Sequence, residues 1–110
     1  MQPAIYTKEK TFSRLLKPSP SVSIIMPFEP KMVAKSNLLH RLKWAIENAE
    51  EQLLEQYPVF TAGLIVKKIK DLIASLDYST HKKSIALFVS SGIERIYYLD
   101  IEMQEKVIVD

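Results

Sequence analysis

A long run of apolar residues at three- and four-residue steps constrains this chain more than any other feature. Between residues 36 and 58 these positions fall on one side of an α-helix, in a stripe about 120° wide. They are Leu38, Leu39, Leu42, Ala45, Ile46, Ala49, Leu53 and Tyr57. Ser36 is the predicted N-cap, and Pro58 closes the helix because proline lacks the backbone N–H that a further turn needs. A helix of about 20 residues is about 30 Å long, so its apolar stripe must cover a sheet or another helix.

A second amphipathic segment follows after a short connection. Thr61 is its predicted N-cap, and its apolar face contains Ile65, Val66, Ile69, Leu72, Ile73 and Leu76. Because the connection is only about five residues long, the two helices are predicted to form an antiparallel hairpin. A further short helix is predicted from about Lys8 to Lys17, with Thr7 as its cap and Pro18 at its end.

Four short runs rich in β-branched residues predict a sheet. Residues 22–27 form an apolar strand, residues 84–90 are apolar on both faces and therefore central, and residues 93–99 and 107–109 complete the set. Ser91-Gly92 is predicted to make a tight turn in which glycine takes a positive φ. The order of elements predicts an α/β (α+β) sandwich. Its mixed or mostly antiparallel sheet of about four strands is covered by the long helical hairpin and the short N-terminal helix.

Length and composition predict one domain over residues 1–110, since 110 residues with 47% apolar content are ordinary for a single globular unit. The chain stops directly after the strand-like run Lys106–Val109. We therefore expect it to be the N-terminal piece of a longer multi-domain protein. The sequence contains no leader-like segment and no apolar run of membrane-spanning length. The expected location is the cytoplasm, without membrane contact.

Residue types that carry catalysis are scarce. The sequence has no cysteine, which excludes a thiolate zinc site and a Cys nucleophile, and its two glycines lie outside any phosphate-binding motif. His40 and His81 are the only histidines and do not stand at a metal-ligand spacing. The long helix carries four glutamates, for which a solvated polar face is expected; they are Glu47, Glu50, Glu51 and Glu55. We therefore predict no enzyme activity, and no catalytic, cofactor-binding or metal-binding residue.

Three features indicate binding instead. Trp44 lies almost opposite the apolar stripe of the long helix, where it either packs against the N-terminal helix or is exposed to a protein partner. The connection between the two helices places Phe60 near the tip of the hairpin. The basic residues of the second half of the chain form either a solvated face or a patch that contacts RNA phosphates. They are Lys67, Lys68, Lys70, Lys82 and Lys83, with His81 as a further backbone or phosphate contact.

Four segments of the chain together form a distinctive layout. They are residues 22–27, the acidic helix segment 49–53, the apolar strand and Ser-Gly turn of residues 81–92, and the Arg- and Tyr-containing strand 94–99. This layout resembles the N-terminal domain of the bacterial relatives of the archaeo-eukaryotic class I peptide-chain release factors, over about residues 15–109. The resemblance implies further domains downstream and a role at or near the ribosome.

The resemblance does not extend to the motifs for decoding or peptide release. In archaeal and eukaryotic members the tip between two helices reads the stop codon with an Asn-Ile-Lys-Ser motif, whereas residues 56–61 here are Gln-Tyr-Pro-Val-Phe-Thr. The family's Tyr-x-Cys-x-x-x-Phe motif is impossible without cysteine, and no Gly-Gly pair is present for the release reaction. We therefore expect a non-catalytic binding or positioning domain of a translation-associated protein, which docks to the ribosome or its RNA. The alternative is a protein-interaction or inter-domain scaffold without nucleic-acid contact, for which an edge strand offers a route to a homodimer.

Overall fold

Two helices pack on a four-stranded antiparallel sheet in the computed structural model, which describes residues 20–110. In chain order the elements are β1 (Val22–Pro27), α1 (Lys35–Gln56), α2 (Val59–Ala74), β2 (Ser84–Val89), β3 (Glu94–Leu99) and β4 (Lys106–Val109). The strand order is β3-β2-β1-β4, and every neighbouring pair is antiparallel. The predicted α/β class and four-stranded sheet are confirmed. The short helix predicted for residues 8–17 lies outside the described residues.

The core lies between one face of the sheet and the two helices. Side chains alternate along a strand, so every second residue of β1 and β2 points at the helices. The buried strand residues on this face are Val22, Ile24, Met26, Ile85, Leu87 and Val89. The buried helix residues that meet them are Leu38, Leu42, Ala45, Ala49 and Leu53 of α1, and Ala62, Ile65, Val66, Ile69 and Ile73 of α2. The predicted apolar stripes therefore form the core, except that Leu39, at the edge of its stripe, is 43% exposed.

The helices pack on one face of β2 and leave its other face only half-buried. This strand is internal, as predicted, since it pairs with both β1 and β3. Its second face carries Ala86 and Phe88, which are only half-buried. Within residues 20–110 the helices cover one face of the sheet, so they do not cover the second face of β2.

Both helices begin earlier than predicted. Ala34 occupies the N-cap position of α1 and Pro58 that of α2, and neither makes a capping hydrogen bond through its side chain. Ser36 and Thr61, the predicted caps, therefore lie inside the first turns. Packing of the apolar faces supplies most of the stability of such helices, so a helix can begin without the capping side chain that a sequence pattern suggests.

The turn between β2 and β3 does not use the positive φ expected of Gly92. The Ser90 amide donates a 2.8 Å hydrogen bond to the Ile93 carbonyl. No glycine among residues 20–110 has a positive φ. A Cβ added to Gly92 would meet no atom within 4 Å. The expectation of a left-handed glycine was therefore wrong, and an alanine fits this position.

The connection between β3 and β4 crosses one end of the sheet, because these strands lie at opposite edges. Neighbouring strands are about 4.8 Å apart, so residues 100–105 span about 14 Å. The hydroxyl of Ser84 accepts a 2.8 Å hydrogen bond from the Met103 amide in this connection. Ser84 is fully buried and is the one buried polar side chain in the part of the chain that the structure describes.

Side chains from the C-terminal part of α1 bind the edge strand β4. Gln52 donates through Nε2 to the Val107 carbonyl at 3.4 Å, and the Tyr57 hydroxyl donates to the Asp110 carbonyl at 2.9 Å. The connection between the helices therefore lies at the end of the sheet where β1 begins and β4 ends. The 100–105 crossing lies at the opposite end of the sheet.

Candidate interaction surface on the helical hairpin

The hairpin tip, defined here as Leu54, Val59, Phe60 and Leu64, is an apolar surface at the end of the two helices. Val59 is 78% exposed and Phe60 is 77% exposed, while Leu54 and Leu64 are each about half exposed. Phe60 and Leu64 stand four residues apart and therefore share one outward face of α2. Core packing does not explain these side chains, because the buried residues of α2 occupy its other face.

The charge along α1 runs against the dipole of the helix. Its first half contains Lys35, Arg41 and Lys43 and no acidic residue, and its last three turns contain four glutamates and no basic residue. A helix dipole favours negative charge near the N-terminus and positive charge near the C-terminus. From residue 44 to residue 66 the sequence has no Lys, Arg or His. On the α1 side the tip is therefore bordered by carboxylates, whereas on α2 Lys67 and Lys68 follow Leu64 by three and four residues.

The glutamates of α1 form a regular row beside the tip. Glu47, Glu51 and Glu55 follow one another at four-residue steps, so they lie along one side of the helix over about 12 Å. Leu54 lies three and four residues from Glu51 and Glu50, on the same exposed side. All four glutamates are exposed. The acidic run predicted to be a solvated face is thus solvated and adjoins the apolar tip.

Trp44 is 64% exposed and stands beside a shallow cavity of about 400 Å³. His40 lies next to it on α1, with the two ring centroids 6.1 Å apart. The cavity is also lined by Pro27, Arg41 and Glu105. It therefore combines two aromatic rings with one positive and one negative side chain, at the opposite end of α1 from the tip.

The basic residues predicted to contact RNA lie in two parts of the fold: Lys67, Lys68 and Lys70 on α2, and His81, Lys82 and Lys83 in the loop before β2. Lys67 pairs with Asp71 at 3.3 Å, Lys68 with Glu94 at 3.3 Å, and Lys82 with Asp100 at 2.8 Å; Lys70 and Lys83 are exposed. Glu94 begins β3 at the end of the sheet near the tip, whereas Lys82, Lys83 and His81 precede β2 at the other end. Phe60, near the start of α2, and these loop residues therefore lie toward opposite ends of the sheet.

The loop around His81 is organised by Asp77. The hydroxyl and the backbone N–H of Ser79 both donate to Oδ1 of Asp77. These two hydrogen bonds hold the pKa of the Asp77 carboxyl below its ordinary value, with smaller contributions from the charges of Lys31 and His81. His81 itself is exposed. It lies beyond the end of α2 that is farthest from Phe60.

Tyr78 closes the core beneath this loop. Its ring meets Phe28 edge-on with centroids 5.3 Å apart, and Nζ of Lys35 lies 4.7 Å from its centroid. The hydroxyl of Tyr78 is buried and has no hydrogen-bond partner among the residues described. Burial raises the pKa of Tyr78, and Tyr98 raises it further.

Within residues 20–110, no three His, Asp or Glu side chains come close enough to hold a metal ion. None of the helices over those residues is both long and apolar enough to cross a bilayer.

Sequence reasoning singled out Trp44 and Phe60 but left open whether Trp44 is packed or exposed, and it did not identify the residues around them; both side chains are exposed. Arg41 and Glu105 line the cavity beside Trp44 and lie far apart in the sequence, so only the fold brings them together. Sequence reasoning also did not link the glutamates to the tip; the stretch from residue 44 to residue 66 without Lys, Arg or His is the signal that could have done so.

Comparison with known proteins yields no match for this chain, either among protein-family models or among curated proteins.

Proposed function

We propose that this chain is a non-catalytic protein-interaction module that meets its partner through the helical hairpin. The observation that carries this proposal is the exposure of Val59 and Phe60, both more than three-quarters accessible at the hairpin tip. Large apolar and aromatic side chains grouped on a surface mark interaction sites, because each gains free energy when a partner removes it from water.

The charges near the tip favour a protein over a nucleic acid as the partner. Nucleic-acid binding depends on Lys and Arg that neutralise phosphates. Three of the lysines first considered for RNA contact pair with carboxylates, and the tip is bordered by glutamates. A phosphate backbone approaching the tip from the α1 side would therefore meet like charge.

Site-specific photo-crosslinking in cells tests this function. A photoreactive phenylalanine analogue replaces Phe60 in one variant and Glu102, in the exposed crossing at the other end of the sheet, in a control variant. We expect a discrete protein adduct from position 60 and none of the same mass from position 102. No protein adduct at position 60, or the same adducts at both positions, would overturn the proposal.

A ribosome-docking domain of a release-factor-like protein is the second candidate. Phe60 favours it, because an exposed aromatic ring at a helical tip offers a surface on which a base can stack. The sequence resemblance adds further domains downstream and a cytoplasmic location to this candidate. Co-sedimentation of the full-length protein with ribosomes at two salt concentrations tests it. Phosphate contacts are strongest at low salt, so failure to co-sediment there would exclude this candidate.

A further inference from the structure

The hairpin tip and the glutamate row beside it form one surface with two chemical components. The apolar component is Phe60 and Leu64 of α2 together with Leu54 of α1. The acidic component is Glu47, Glu51 and Glu55, with Glu50 beside Leu54. None of these glutamates forms an ion pair with a described residue. An occupant of this surface must therefore present apolar groups and leave the carboxylates solvated or neutralised.

We propose that this surface binds a basic amphipathic helix of a partner protein, a partner class that rests on the protein-interaction function proposed above. Apolar side chains of that helix cover Phe60, Leu64 and Leu54, and its Lys or Arg residues meet the glutamates. Helix-in-groove recognition uses such anchors at three- and four-residue steps. The glutamates of the row repeat every four residues, so a helix with basic residues at the same spacing pairs with them in register.

The electrostatics of α1 support a cationic partner independently of the apolar tip. A carboxylate in the last turn of a helix opposes its dipole, so Glu55 lowers the stability of α1 in the free protein. A cationic partner relieves both that unfavourable contact and the mutual repulsion of the row. An acidic segment or a phosphate backbone would increase both, and complementary charge also excludes wrong partners.

Fluorescence anisotropy with defined probes tests the partner class. The full-length protein is titrated against a labelled amphipathic peptide of Leu, Ala and Lys with lysines at four-residue steps. A second peptide carries Glu in place of every Lys, and a labelled oligouridylate represents RNA. The protein variants are Phe60→Ala, the double variant Glu51→Gln/Glu55→Gln, and Glu102→Gln as a control that neutralises one exposed carboxylate in the crossing loop. All sites are exposed, and circular dichroism verifies that each variant is folded.

We expect the basic peptide to bind and the acidic peptide and RNA to bind at least about tenfold more weakly. Phe60→Ala should weaken binding of the basic peptide about tenfold or more, as loss of an aromatic anchor does. The double variant should weaken binding of the basic peptide and reduce the salt dependence of that binding. Glu102→Gln should change neither the affinity nor its salt dependence. Three results would each overturn the proposed partner class. They are equal affinity for the acidic and basic peptides, preference for RNA, and basic-peptide binding that neither Phe60→Ala nor the double variant changes.

The crosslinking experiment distinguishes failure of the proposed basic partner from failure of the proposed protein-interaction function. An adduct at position 60 with an acidic segment of another protein would support the protein-interaction function and overturn the basic partner. No protein adduct at position 60 would overturn both.

Discussion

The amide of Met103 donates a 2.8 Å hydrogen bond to the buried hydroxyl of Ser84, which joins the crossing between β3 and β4 to the first residue of the internal strand β2. Removal of this hydroxyl leaves an amide without its acceptor beside the core. We expect Ser84→Ala to lower the free energy of unfolding by about 1–2 kcal/mol, the usual cost of an unsatisfied buried donor. Urea denaturation measures the change. Ser36→Ala is the control, since Ser36 is exposed and does not cap α1, and equal losses in the two variants would contradict the prediction.

Tyr78 and Tyr98 should respond oppositely to removal of their hydroxyls. The Tyr78 hydroxyl is buried without a described hydrogen-bond partner, whereas that of Tyr98 accepts a 2.8 Å bond from the Asp77 amide. We expect Tyr78→Phe to raise the free energy of unfolding by about 1 kcal/mol and Tyr98→Phe to lower it by about 1 kcal/mol. Parallel urea titrations measure both. A loss of stability in Tyr78→Phe would show that its hydroxyl has a partner.

The pKa of Asp77 should lie below its ordinary value of 3.8, because Ser79 donates two hydrogen bonds to the Asp77 carboxylate. Because the pKa of Asp77 is lower in the folded state, the ionised carboxylate stabilises the fold above pH 3.8. This stabilisation is lost as the pH falls through the folded-state pKa. Ser79→Ala removes the hydroxyl bond and should raise the pKa of Asp77 toward its ordinary value. An NMR titration of the Asp77 carboxyl measures this change. An unchanged pKa would mean that the backbone bond alone accounts for the shift.

Charge reversal at the end of α1 should separate stability from binding. We expect Glu55→Lys to raise the free energy of unfolding by about 0.5–1 kcal/mol at low salt, because it places a cation near the C-terminus of the helix. The same change should weaken binding of the basic peptide. Urea denaturation at low and high salt and anisotropy measure the two effects, with Glu102→Lys, outside any helix, as the control. A loss of stability in Glu55→Lys would contradict the proposed dipole effect.

The strands and the core of this fold could be predicted because they depend on local apolar patterns. The strand Val22–Pro27 was predicted with its observed bounds, and both helical stripes supply the buried residues. The helix starts were wrong because Ala34 and Pro58, which carry no capping group, occupy the N-cap positions. The Gly92 turn was wrong because its observed hydrogen bond forms without a positive φ.

The candidate site was predictable only in part. The position of Trp44 around the helix axis left two alternatives, packing against the N-terminal helix or exposure, and the side chain is exposed. The distribution of lysines required the fold, because Lys68 and Lys82 are paired with Glu94 and Asp100, which are distant in sequence. Such pairings depend on strand order and cannot be deduced from spacing along the chain.

The pairing of β1 with β4 has a consequence for how the chain folds. Val22 lies opposite Val109, so the sheet is completed by a contact between segments separated by most of the described chain. Contacts of such long sequence separation form slowly because a large loop must close first. The helical hairpin and the β2–β3 pair are local and can form earlier. Until Lys106–Val109 pairs with β1, one edge of β1 is unpaired and can pair with another chain. The four residues of β4 therefore also protect the folding protein against aggregation.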